Sequence, residues 1–225
     1  MNNQLVPVIT IDGPSGTGKG TLCHMLARHL GWHVLDSGAI YRVLAHAANK
    51  AAIDFTDAKA LADFAKNLKV RFVLNNHDLC LKIDLDAEEI TDKIRTEQCG
   101  QNASKIATYP EVRQALLARQ RTFAQLPGLV TDGRDMGTVV FPEASLKLFL
   151  SASPEIRAKR RYFQLKEKQI NVSLAEVIDE LAVRDKRDTE RRHAPLKPAK
   201  DAVFIDTTGL DVVQVFNNVL KLIKK

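Results

Sequence analysis

The spacing of apolar positions changes several times along the chain, and each change marks an element. Val8 to Ile11 is a short, β-branched apolar run that reads as a buried strand. Leu22, Met25, Leu26 and Leu30 then recur at helical spacing, and Gly31 suits the end of that helix. Trp32 to Leu35 reads as a second strand, followed by a helix over 39–45 with Ser37 as its expected N-cap. Leu61, Phe64 and Leu68 place another helix over 58–68. The period then becomes two. Residues 70–74 and 79–85 alternate around the polar turn 75–78, and a short strand is expected near 88–90.

Helical spacing returns over 96–107 and again from Tyr109-Pro110-Glu111, where Val112, Leu116 and Phe123 share a face and Pro110 sits in the first turn. Three more core strands follow at Leu129 to Thr131, Ser145 to Leu150 and Val203 to Ile205. Between the last two, Ser153-Pro154-Glu155 opens a basic helix and Ser173-Leu174-Ala175-Glu176 is a capping box opening another. A final amphipathic helix carries Val212, Val213, Phe216, Val219, Leu220 and Ile223. Strands alternating with helices imply a five-stranded parallel sheet covered on both faces, of α/β class. The antiparallel segment, about residues 68–95, is then an insert within a single domain spanning 1–225.

Composition narrows the classes. At 225 residues and 45% hydrophobic content the chain suits one sizeable core. No apolar run is long enough for a membrane helix, and the first residues do not form a secretory signal. The three cysteines, Cys23, Cys80 and Cys99, follow no metal-binding spacing, so reduced thiols and a cytoplasmic location are expected. A net charge of +6 points either to nucleic acid or to small polyanions. Aromatic content of 6% with no interleaved aromatic and basic pattern argues against a nucleic acid polymer.

In a parallel sheet the ligand lies at the carboxyl ends of the strands. Polar and glycine residues cluster there. The first such end is Gly13-Pro14-Ser15-Gly16-Thr17-Gly18-Lys19-Gly20-Thr21, a P-loop-like pattern between strand and helix. Its glycines let backbone N–H groups converge on a phosphate, the helix start adds its dipole, and Lys19 adds a charge. Gly20 stands where the usual pattern has Ser or Thr, and the hydroxyl arrives at Thr21, as in the nucleoside monophosphate kinases. Arg42 and Arg134 lie just past strand ends, in the company of Arg157, Lys159, Arg160 and Arg161. Arg184, Asp188 and Arg191 stand at i, i+4 and i+7, on one expected helix face. Such a rim of cations suits two nucleotides meeting phosphate to phosphate. A phosphate acceptor is already anionic, so the reaction needs cations, Mg²⁺ and positioning rather than a general base.

Three longer motifs extend this: Asp36-Ser37-Gly38-Ala39-Ile40-Tyr41-Arg42, Asp132-Gly133-Arg134-Asp135-Met136-Gly137-Thr138, and Arg184-Asp185-Lys186-Arg187-Asp188 with Arg191 and Ala194-Pro195-Leu196. With the loop, they resemble the bacterial cytidylate kinase family over nearly the whole chain. That resemblance implies transfer of the γ-phosphoryl group of ATP to CMP or dCMP, with Mg²⁺ carried by ATP. Another small-molecule P-loop kinase is the alternative; a regulatory GTPase is disfavoured because no Asn-Lys-x-Asp motif is present. By the same resemblance, Gly13 to Thr21 hold ATP. Ser37, Arg42, Ser104, Arg113, Arg134, Asp135, Arg184, Asp188 and Arg191 bind the acceptor. Lys19, Arg134, Arg160, Arg184 and Arg191 act on the transferring phosphoryl group. Arg160, with Arg161, belongs to a short lid over about 153–171. No direct metal ligand is assigned, neither a membrane nor a nucleic acid polymer is an expected partner, and a monomer is expected because no exposed apolar stripe is evident.

Overall fold

The computed structural model describes residues 6–75, 81–167 and 169–223. The expected turn residues 76–78, Leu79 and the Cys80 thiol lie outside the described residues. The chain runs β1 (Val8–Asp12), α1 (Lys19–Leu30), β2 (His33–Asp36), α2 (Ser37–Lys50), α3 (Ala58–Lys66), β3 (Val70–Leu74), β4 (Leu81–Leu85), β5 (Glu88–Glu89), α4 (Glu97–Ile106), α5 (Pro110–Arg121) and β6 (Leu129–Gly133). After a π-helical turn at Met136–Val140 come β7 (Leu146–Ser151), α6 (Pro154–Glu167), α7 (Leu174–Glu190), β8 (Val203–Asp206) and α8 (Val212–Ile223).

The main sheet has the order β2-β6-β1-β7-β8, and every neighbouring pair is parallel. Every residue of β1 and β6 is buried, which requires a layer over each face. The smaller sheet, β3-β4-β5, is antiparallel. Among the described residues no helix is long and apolar enough to cross a membrane.

Four local expectations change. Asp36, not Ser37, caps α2: its carboxylate accepts from Ala39 N at 2.9 Å. Ser37 is the first helical residue, and its hydroxyl donates instead to the buried Gln120 at 2.7 Å. Arg191 lies just past the end of α7 as its C-cap, so the face shared by Arg184 and Asp188 continues into a turn. The fifth strand is an exposed edge: Phe204 is 60% exposed and stacks on Phe149 at 5.7 Å. Val213 on α8 points outward, while Val215 and Val219 face the core.

Gly13 fixes how the loop leaves β1. Its φ is +146°, and a Cβ there would lie 2.1 Å from the Leu150 carbonyl oxygen. Backbone cannot yield that distance cheaply. Gly13→Ala is expected to destabilise by about 3 kcal/mol, and to lower Tm by roughly 6–12 °C. Thermal unfolding checks this, and an unchanged Tm would show that the loop has slack.

Candidate active site

The carboxyl ends of β1, β2, β6, β7 and β8 open on a cleft of about 630 Å³. Ser15 to Thr21 form its floor. Gly16 and Gly18 have φ of +81° and +91°, and Gly18 is the left-handed residue from which α1 starts. Lys19, the first residue of α1, is 5% exposed, and its Nζ donates to the Pro14 carbonyl at 2.6 Å. Thr17 Oγ1 donates to the same carbonyl at 3.1 Å.

Cations crowd this floor. Burial, with Arg134 beside it, drives the Lys19 ammonium down to about 7. Burial, with Arg134 and Arg42, drives Arg184 down to about 9, and its Nε is buried without a hydrogen-bond partner. The opposite shift occurs nearby: burial, with Asp36, pushes the Asp132 carboxyl up to about 8, and its Oδ1 is also unpartnered. Cations that cluster despite mutual repulsion, in a cleft, are the electrostatic imprint of an anionic ligand.

A second cavity of about 50 Å³ adjoins the first. Ser37, Tyr41, Ser104, Arg113, Asp135, Asp188 and Arg191 line it, and Arg134 and Arg184 line both spaces. Arg113 Nη2 pairs with Asp135 Oδ2, and Arg191 Nη2 lies 3.5 Å from Asp135 Oδ1. Arg134 is the junction. Its Nε donates to Asp188 Oδ2 at 2.8 Å and its Nη2 to Ser15 Oγ at 2.8 Å. Burial opposes the Arg134 charge, but Asp188 holds its pKa above the usual value.

Three predicted residues have other duties. Arg42 Nη1 donates to the carbonyls of Ile94 and Thr96, at 3.0 and 3.2 Å, while the side chain edges the large cleft. Arg160 is docked on the loop after β8, donating to Thr207 Oγ1 at 3.0 Å and to the carbonyls of Thr207 and Leu210. Arg161 pairs with Glu97 at 3.2 Å, which joins α6 to α4.

Two further residues support the site: Asp12, which the sequence did not single out, and Arg157, which it placed among the cations of the rim. Asp12 accepts from the backbone N–H groups of Met136 and Gly137, at 2.9 and 2.8 Å, and so shapes the turn that presents Asp135. Burial pushes the Asp12 carboxyl up to about 6. Arg157, one of many basic residues on its helix, turns inward: it donates to the Ser15 carbonyl at 3.2 Å and pairs with Asp185 at 2.5 Å. The only sequence signal for Asp12 was its place at the end of the first strand. Among the described residues no group of His, Cys, Asp and Glu side chains is arranged to hold a metal by itself.

A glycine loop on a parallel sheet, facing shared arginines and a second polar cavity, defines a P-loop phosphotransferase. The comparisons agree with that class. A family model described as cytidylate kinase matches residues 9–225. A protein named cytidylate kinase from Nitrosococcus oceani is 58% identical over 215 residues, covering 96% of this chain and 95% of its own. Another of that name from Pseudomonas fluorescens is 53% identical over 218 residues, covering 97% and 95%. The chain belongs to the cytidylate kinase family, and it is an ATP-dependent enzyme that phosphorylates CMP. The crystal structure of a gluconokinase from Sinorhizobium meliloti 1021 shares the fold alone, with a TM-score of 0.50 at 12% identity over 97% of this chain and 92% of that one.

Proposed function

We propose that the large cleft takes ATP, the small cavity takes the base of CMP or dCMP, and the phosphoryl group passes beneath Arg134 and Arg184. One observation carries this reading: these two arginines line both spaces. The donor and acceptor phosphates repel each other, and the cations common to both sites offset that repulsion. Lys19 and the loop N–H groups hold the donor phosphates. Arg134, Arg184 and Arg191, with Arg42 at the edge, hold the acceptor phosphate. Asp188 orients Arg134 and lies where ribose hydroxyls would be read. The chain would work as a single kinase domain, with residues 68–95 in its acceptor-binding part and α6 as the lid carrying Arg160 over ATP.

The donor set fits a nucleotide-borne Mg²⁺. Asp132 Oδ1 is a hard oxygen, buried and unpartnered beside Lys19, and Thr21 lines the same cleft. Asp132 and Thr21 are the groups that would hold the ion together with ATP phosphates. When bound, it supplies positive charge to the phosphoryl oxygens.

The base is read by paired polar groups. Cytosine has an amino donor at C4 and an acceptor at N3. Asp135 can accept from the first and Arg113 can donate to the second. The small cavity has room for little more than a water or two. Base entry therefore parts the Arg113–Asp135 pair and replaces it with contacts to the ring. Uracil turns a carbonyl toward Asp135 and leaves that carboxylate opposed. In a coupled ADP-release assay, kcat/KM for CMP should exceed that for UMP by on the order of 10²-fold or more. Comparable values would refute this scheme of base reading.

A further inference from the structure

Arg187 has no role in the scheme above, yet it is joined to it. Ser104 on α4 is a wall of the small cavity and is 6% exposed. From α7, Arg187 Nη1 donates to Ser104 Oγ at 2.9 Å and to Gln101 Oε1 at 3.3 Å. Arg187 stands behind that wall rather than in it. We infer that Arg187 sets the hydrogen-bonding direction of the Ser104 hydroxyl, and so is a specificity-determining positioning residue for the acceptor base. This rests on the assignment of the small cavity to the base.

The argument is one of donors and acceptors. A guanidinium has five N–H donors and no acceptor, whereas a serine hydroxyl has one proton and two lone pairs. Beside Arg187, Ser104 can only accept. Its own proton is therefore turned away from Arg187. Gln101 steadies the arrangement: its Oε1 receives the same guanidinium, and its Nε2 donates to Glu97 Oε1 at 3.1 Å. Residues 101 and 104 are one turn apart on α4, so they grip Arg187 from a single helix face.

With one lone pair taken by Arg187 and the proton turned from it, Ser104 is biased toward donating into the cavity. Cytosine presents acceptors at N3 and O2, enough for Ser104 to donate alongside Arg113. Uracil presents N3–H, and donor against donor leaves both unpaired in a buried place. A hydroxyl free to turn could accept from uracil N3–H. Biasing its direction makes that option costlier, which disfavours the wrong base without adding a contact to the right one.

Three variants separate this from simple clamping of α7 against α4. Arg187→Lys keeps a donor-only neighbour. Arg187→Gln keeps a polar neighbour, though a shorter one, and its amide oxygen can accept from Ser104 directly or through a water. Ser104→Ala removes the group being directed. Each is assayed with CMP and UMP at saturating Mg-ATP. Arg187→Gln should lower the CMP:UMP ratio of kcat/KM by about tenfold, chiefly through KM, whereas Arg187→Lys should restore most of it. In the Ser104→Ala background, Arg187→Gln should lower the ratio no further. Equal losses for the Gln and Lys variants would overturn the inference. So would a loss from Arg187→Gln that persists without Ser104. If Ser104→Ala alone leaves the ratio unchanged, the base assignment of the cavity fails, and this inference fails with it.

Discussion

Arg134→Ala should lower kcat on the order of 10³-fold, with a smaller change in KM for either nucleotide. In the proposed arrangement its guanidinium reaches from the acceptor side, through Asp188, to the donor loop, through Ser15 Oγ, at 2.8 Å in each direction. An arginine so placed meets charge that develops only as the phosphoryl group moves, so its loss falls on the chemical step. Lysine should not restore the activity. An ammonium is a point charge and cannot keep both bonds of the fork in plane. Steady-state kinetics of Arg134→Ala and Arg134→Lys test this. A kcat within a few-fold of the wild type would place the phosphoryl transfer elsewhere.

Lys19→Met should lower kcat/KM for ATP by on the order of 10²- to 10³-fold, the range for one preorganised electrostatic group. Methionine fills much of the same space, so the loss reads the charge rather than a cavity. Lys19 is held uncomfortably in the free protein: burial and Arg134 press its pKa down to about 7. Donor phosphates bound as proposed would relieve both pressures by bringing negative charge to a buried cation. The variant should also keep or raise Tm, because an unfavourably buried ammonium is gone. Coupled ADP release and thermal unfolding together check the pair of effects. A folded variant with wild-type kcat/KM would remove Lys19 from the reaction.

The frame was largely legible in the sequence because it is written locally. The run at Val8 to Ile11, the glycines after it and the helical spacing from Leu22 lie within one short stretch, and the strands at 129–131 and 145–150 carry their own apolar signal. The capping box at Ser173 and Glu176 is likewise a four-residue pattern. What stayed hidden depends on partners far away in the chain. Ser37 looks like an N-cap until Gln120, from α5, takes its proton. Arg157 reads only as one cation of the rim until the Ser15 carbonyl and Asp185 are brought to it. The π-helical turn at Met136–Val140 is tied down at its start by Asp12, 124 residues before Met136, and apolar periodicity says nothing of it. The edge position of β8 could not be read either, because an edge and a central strand differ in neighbours more than in residues.

The strand order has a consequence for the growing polypeptide. β1 lies between β6 and β7, with Val8 opposite Leu129 and Ile9 opposite Leu146. A nascent chain that ends before Leu129 contains the whole glycine loop but neither neighbour of the strand that carries it. Such a chain can wind α1, yet it has no sheet to aim the loop and no arginine junction to face it. Substrate recognition therefore arrives late in synthesis and all at once, when the second half of the molecule closes around the first.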